Sequence, residues 1–171
     1  MRKFRNCYSN IVRIKGKEYL YDESDSVICG VIPELLSQGF KYIQDEGDYI
    51  RPVKASEIES AYRVKRNYGM YKGYKVRVAD YREDKGDIFV MFDNEKEGEA
   101  AGIEPWIDVN DKCMRYYEAY VPESDVPDIY EMRVPVDGFP FVCPEIVYHK
   151  KDGVWQPWHD YGTPLKDDEW L

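Results

Sequence analysis

The side chains best suited to chemistry are few and lie late in the chain. The two histidines, His149 and His159, stand ten residues apart, with Cys143 and Asp160 nearby. Cys, His and Asp make up zinc sites, and a Cys with a His can supply a nucleophile and its base. Here the spacing matches no recurring ligand pattern. No Gly-x-Ser-x-Gly elbow, phosphate-cradling glycine loop, dinucleotide fingerprint or His-Glu-x-x-His helix occurs either. A small hydrolase built around Cys143, His149 or His159 is therefore the weakest functional reading. Neither a metal nor a cofactor is expected.

Carboxylates and aromatic rings are more abundant. Asp84, Asp87, Asp93, Glu95, Glu97 and Glu99 bracket a single expected strand, Asp87 to Phe92, and the loops on either side of it are expected to converge into one negative rim. Asp93-Asn94-Glu95 lacks the alternating register of a calcium loop. Tyr81 and Trp106 are large amphipathic rings of the kind that anchor protein interfaces. Tyr116 and Tyr120 share one face of a later strand, with Tyr117 on the other. Those six carboxylates with Tyr81 and Trp106 form the expected partner-binding set. Charge would steer a basic protein toward the surface, and a few rings would hold it. Two other readings stay open: a solvated rim that serves solubility, and a groove in which Tyr81 and Trp106 take an extended proline-rich segment.

Composition agrees with an acidic binding surface. The chain has 171 residues and a formal net charge of −9. The balance is +1 up to Lys65, −6 from Arg66 to Arg133 and −4 beyond, so the middle third carries most of the negative field. Broad nucleic-acid binding is disfavoured, because that mode needs cations against phosphate. No run approaches the roughly 18–20 apolar residues of a membrane span. The basic start, Met1 to Asn6, is followed by no apolar core of a secretion signal, so the cytosol is the expected location. Cys7, Cys29, Cys113 and Cys143 form no Cys-x-x-Cys pair and are expected as reduced thiols, Cys29 as a small core residue.

The elements that must position these groups are read from a phrase that occurs twice. Ile14-Lys15-Gly16-Lys17 runs into a strand, and Tyr71-Lys72-Gly73-Tyr74 does the same. Downstream, Tyr49-Ile50-Arg51-Pro52-Val53 leads to Ser56-Glu57, and Tyr117-Glu118-Ala119-Tyr120-Val121-Pro122 leads to Ser124-Asp125. The offset between the copies grows from 57 residues at the Lys-Gly turns to 68 at the Ser-acidic turns, as expected if loops absorbed the difference. Sixteen tyrosines favour strands. Pro33 to Gln38 reads as a helical turn ended by Gly39, and Asp93 to Ala101 as the longest polar insertion. Ser56 with Glu59 has capping-box spacing. In the tail, Ile146–Lys150 and Val154–Trp158 flank a Lys-Asp-Gly turn as a hairpin.

The expected architecture is mainly β: units at 1–65 and 66–133, then a hairpin extension at 134–171 that packs on them. The order of short strands, tight turns and one helical turn in residues 8–65 and 66–133 resembles the small, partly open barrel of the Src-homology-3 type. Ala79-Asp80-Tyr81-Arg82-Glu83-Asp84 is similar to the aromatic-acidic loop of such barrels, although the companion Trp-Trp pair is missing. In size, acidity and lack of catalytic apparatus the chain resembles bacterial immunity proteins. That resemblance implies an inhibitor of a cationic toxin and assigns no individual residue.

Overall fold

A computed structural model describes residues 9–30, 33–45, 47–108, 114–139 and 146–157. The fold is mainly β with antiparallel pairing, and its contacts group into two compact units. Among the described residues, 9–65 and 133–139 form the first unit, and 66–132 with 146–157 form the second. No helix among the described residues is long and apolar enough to cross a membrane.

In the first unit, β1 (Asn10–Ile14) turns tightly into β2 (Lys17–Asp22) and then β3 (Val27–Gly30). A 3-10 turn, Pro33–Gln38, leads to β4 (Lys41–Ile43) and β5 (Asp48–Pro52). A second 3-10 turn, Ala55–Glu57, precedes β6 (Ser60–Tyr71), whose first half returns antiparallel to β1. Val12, Ile14, Tyr19, Ile28, Leu35, Phe40, Val53, Ile58, Ala61 and Val136 fill the core. The capping carboxylate of the second 3-10 turn is Glu57, which accepts from the Lys54 amide at 2.9 Å. The expected Ser56–Glu59 box is thus shifted by two residues, because the turn begins earlier than the Ser position implies.

The second unit repeats the order. The rest of β6 turns into β7 (Tyr74–Arg82) and β8 (Asp87–Met91), followed by helix α1 (Glu95–Ala100). A small ladder, β9 (Trp106–Ile107) with β10 (Arg115–Tyr116), precedes β11 (Glu118–Pro122), a 3-10 turn at Glu123–Asp125, and β12 (Ile129–Pro135). The hairpin β13 (Ile146–Lys151) and β14 (Val154–Trp155) adds to β12. Tyr71, Val76, Val78, Ile88, Val90, Tyr117, Val121, Val126 and Ile129 are prominent in its core. The expected polar insertion is in part this helix. Asn94 accepts from the Lys96 amide at 2.9 Å as its cap, and Glu95 and Glu97 in the first turn suit its positive end.

The same local geometry recurs at matching places. Lys15-Gly16 and Lys72-Gly73 have φ of 50° and 76°, and of 49° and 84°, the paired left-handed residues of a tight hairpin. Phe40 donates to the Leu35 carbonyl and Gly39 to Leu36; Ile103 donates to Gly98 and Gly102 to Glu99. The Val53 amide bonds Ser26, and the Glu123 amide bonds Gly86. Each bond satisfies a backbone group that the end of a turn would otherwise leave unpaired.

Candidate functional site

Strand register decides which side chains leave the core of the second unit. On β8, Ile88 and Val90 are buried while Asp87, Phe89 and Met91 face outward. Directly opposite Phe89 stand Asp80 of β7 and Tyr120 of β11; opposite Met91 stand Arg77 and Glu118. Cross-strand partners share a face, so these residues line one outer surface. Phe89 and Tyr120 meet with ring centroids 4.9 Å apart. The Tyr120 hydroxyl donates to Asp80 at 2.7 Å, and the Arg82 guanidinium lies 3.3 Å from the ring centre. Trp106 stacks on Tyr116 at 4.4 Å and donates its indole N–H to Glu118 at 2.6 Å. Trp106 is 46 % exposed and Tyr120 40 %, with Ile107 and Met114 also exposed. The result is an aromatic stripe whose polar tips are already oriented by carboxylates.

The expected acidic rim does not converge. Asp84 and Asp87 lie at the start of β8, and Asp93 and the helix carboxylates follow its other end. An extended strand of five residues separates them by about 15 Å. Part of the charge is also locally answered. Asp87 is gripped by two of the three Arg82 guanidinium nitrogens, which hold its carboxyl below the usual range, and Arg77 meets Asp93 at 2.7 Å. Glu99 accepts from the Tyr117 hydroxyl at 2.8 Å, raising that phenol's pKa. Asp84 and Glu95 remain on the exposed surface, and Glu97 is half-buried.

Tyr81 and Trp106 do not share a surface. A bulge at Ala79 interrupts the pairing of β7 with β8, placing Asp80 opposite outward Phe89 and Tyr81 opposite buried Ile88. One extra residue reverses which side chains point inward, so the alternation up to Ala79 misplaces everything beyond it. Inside, the Tyr81 ring packs 5.2 Å from Trp155 and its hydroxyl donates to Glu123 at 2.7 Å. Burial, followed by that carboxylate, pushes its pKa up to about 12.

Glu123 is the hub of this inner cluster, accepting from Tyr81 and from the Trp155 indole, with the Lys150 ammonium 3.6 Å away. Burial alone would raise its pKa; the two donors and the ammonium outweigh it and hold the carboxyl low. A depressed folded-state pKa stabilises the fold above the unfolded value, about 4.3, and that contribution is lost as pH falls through the folded value. Acid unfolding should therefore include a Glu123 component. Glu123→Gln should flatten stability against pH below about pH 4.5, as denaturant melts at successive pH values would show.

Of the residues with catalytic potential, Cys143, His159 and Asp160 lie outside the described residues, as do Cys7, Cys113 and Trp158. Cys29 is half-buried on β3. His149 is buried in the second unit, its Nε2 3.7 Å from the buried Glu131 carboxylate. Among the described residues, no group of three or more His, Cys, Asp or Glu is placed to hold a metal ion. Sequence reading missed Phe89, Asp80 and Glu118. Phe89 was legible from the alternation of Asp87 to Met91, whereas Asp80 was not, because the bulge reverses it.

No curated protein and no solved structure matches the chain. A family model does match residues 10–136, from the first residue of β1 to the core residue Val136. With most of its length matched, the chain belongs to the family described as Uncharacterised conserved protein UCP033725.

Proposed function

We propose that this is a non-catalytic protein-binding protein of the cytoplasm, an immunity-type inhibitor that occupies a basic partner such as a bacterial toxin. The observation that carries the reading is the pair of ring clusters, Phe89–Tyr120 on the outer sheet face and Trp106–Tyr116 on the small ladder, with Trp106 bonded to the outward Glu118. Large rings with oriented polar tips are what interface hot spots are made of, and ordering them in advance lowers the entropic cost of docking. Net charge favours a cationic partner, and Asp80 and Glu118 lie among the rings where a lysine or arginine would meet them. Compared with the expectation from sequence, rings carry more of the contact and the carboxylate rim less. The proline-rich groove is disfavoured, because Tyr81 is turned into the cluster around Glu123 while Trp106 bonds the outward Glu118.

The scaffold we infer is a pair of partly open barrels of Src-homology type. In each unit a meander is followed by a 3-10 turn and a last strand that returns beside the first. The hairpin turns, the turn-ending bonds and the 3-10 turns fall at corresponding places, which supports duplication of one unit.

Co-purification with the product of each neighbouring gene, at low and high salt, tests the function. A basic partner should be retained and its association should slow as salt rises. Trp106→Ala should weaken binding by about 2 kcal/mol, roughly 30-fold. A partner whose affinity is indifferent to both salt and Trp106 would overturn the proposal.

A further inference from the structure

The first unit holds a cleft of about 520 Å³ with a different character. It is lined by Ile14, Lys15, Lys17, Tyr19, Gln38, Phe40, Arg51 and Glu57. Three cations and one carboxylate thus face a single concavity in a chain whose net charge is −9. The register explains how they come together. Arg51 of β5 is paired with Ile28 of β3, which is wholly buried, so Arg51 emerges on the core side of the sheet. Lys17 lies two residues before the buried Tyr19, on the same face of β2. Glu57 holds the guanidinium at 3.0 Å, and Phe40 lies 5.9 Å beneath it. The Tyr19 hydroxyl donates to Gln38 across the floor at 3.2 Å. Arg51 is therefore positioned in advance, its charge only partly answered by Glu57, while both lysine ammoniums remain exposed.

The second unit offers a control within the same molecule. Matching the Lys-Gly turns places Tyr74 where Lys17 stands and Val76 where Tyr19 stands, and by strand register Val121, opposite Ile88, stands where Arg51 stands opposite Ile28. There Tyr74 packs against Phe92 with centroids 6.3 Å apart, and Val76 and Val121 are buried. Lys72, the counterpart of Lys15, donates to the Ala101 carbonyl at 2.8 Å. The second copy thus replaces two of the three cations with Tyr74 and Val121 and ties the third, Lys72, to a backbone carbonyl. Arg51, the core-side cation, is answered in part by Glu57, while Lys15 and Lys17 add exposed positive charge beside it.

We propose that this cleft binds a small polyanion, a phosphate ester or polycarboxylate presenting at least two negative charges to Lys15, Lys17 and Arg51. The volume suits a small molecule, and an Arg flanked by Lys is a common arrangement for compact anionic groups. The site is separate from the aromatic stripe and does not depend on the docking role proposed for it.

Calorimetric titration of the full chain with inorganic pyrophosphate, and separately with citrate, against sodium chloride at equal ionic strength tests the proposal. At least one anion should bind saturably, one per chain, and comparison of the two distinguishes phosphate from carboxylate chemistry. Lys17→Glu should weaken binding at least tenfold, and the milder Lys15→Ala and Lys17→Ala should each weaken it severalfold. All three change exposed side chains, and Lys96→Glu on the second unit should leave binding unchanged. Saturable heat from neither anion, or binding undiminished in Lys17→Glu, would overturn the proposal.

Discussion

Lys150→Ala is expected to destabilise the protein by about 3 kcal/mol, while Lys151→Ala, one residue on, changes stability by less than about 0.5 kcal/mol. Lys150 is 2 % exposed, and its ammonium donates to the Glu123 carbonyl at 2.6 Å and the Val126 carbonyl at 3.0 Å. It also lies near the Glu123 carboxylate and 5.5 Å from the Trp155 ring centre. Truncation removes the donor from the carbonyls at the two ends of a 3-10 turn and leaves a partly buried carboxylate with less compensation. Groups stranded in this way incur their desolvation cost with nothing in return. Lys151 sits over Tyr148 at 5.1 Å on the surface, where such contacts contribute little. Urea unfolding of the two variants measures the difference. Because Lys150 and Trp155 hold β13 and β14 to Glu123, Lys150→Ala should also speed proteolytic cleavage near Gly153. Equal effects of the two substitutions would show that Lys150 is not the tether.

Gly98→Ala gives the second large effect, and its sign opposes helix propensity. In an open helix interior, alanine is favoured over glycine by about 0.5–1 kcal/mol. Here a Cβ would lie 2.4 Å from the Tyr117 Cβ and 2.6 Å from its Cγ. Tyr117 cannot readily yield. Its carbonyl accepts from the Phe92 amide at 2.9 Å, its hydroxyl is tied to Glu99, and its ring is buried. Forcing helix and strand apart in a packed core should cost about 2–3 kcal/mol. Gly102→Ala is the comparison: nothing lies within 4 Å, but its φ of +76° should cost about 1 kcal/mol. Thermal melts should rank Gly98→Ala below Gly102→Ala and both below the parent. The reverse order would mean that α1 does not pack on Tyr117 as described.

Much of the scaffold was legible because it is encoded locally. Lys-Gly, Asp-Gly and the glycines after short helical turns occupy left-handed backbone that few other residues accept, and each marks an observed turn at Gly16, Gly73, Gly153, Gly39 and Gly102. Alternation of Ile88 and Val90 with Phe89 and Met91 carries the same kind of local signal, although Phe89 was not singled out from it, since side chains in a strand point to opposite sides in turn. The mainly β character rests on such short-range rules.

The candidate surface was less legible, because it depends on pairings between residues distant along the chain. Arg77 meets Asp93 and Arg82 meets Asp87 only once β7 and β8 are in register, so two carboxylates of the acidic run are paired with arginines. The bulge at Ala79 carries Tyr81 inward and Asp80 outward.

By itself the sequence determined where the chain turns, which runs are strands and which sign of charge prevails. Those depend on backbone conformations and compositions that each segment carries alone. Only the tertiary structure decided that Tyr81 belongs to an inner cluster with Glu123, Lys150 and Trp155. It also decided that Phe89 and Tyr120 share an outer face, that Trp106 stacks on Tyr116 and reaches Glu118 of that face, and that Lys15, Lys17 and Arg51 line one cleft. The reason is physical: a side chain's environment is set by strand register, and register is fixed by partners tens of residues away.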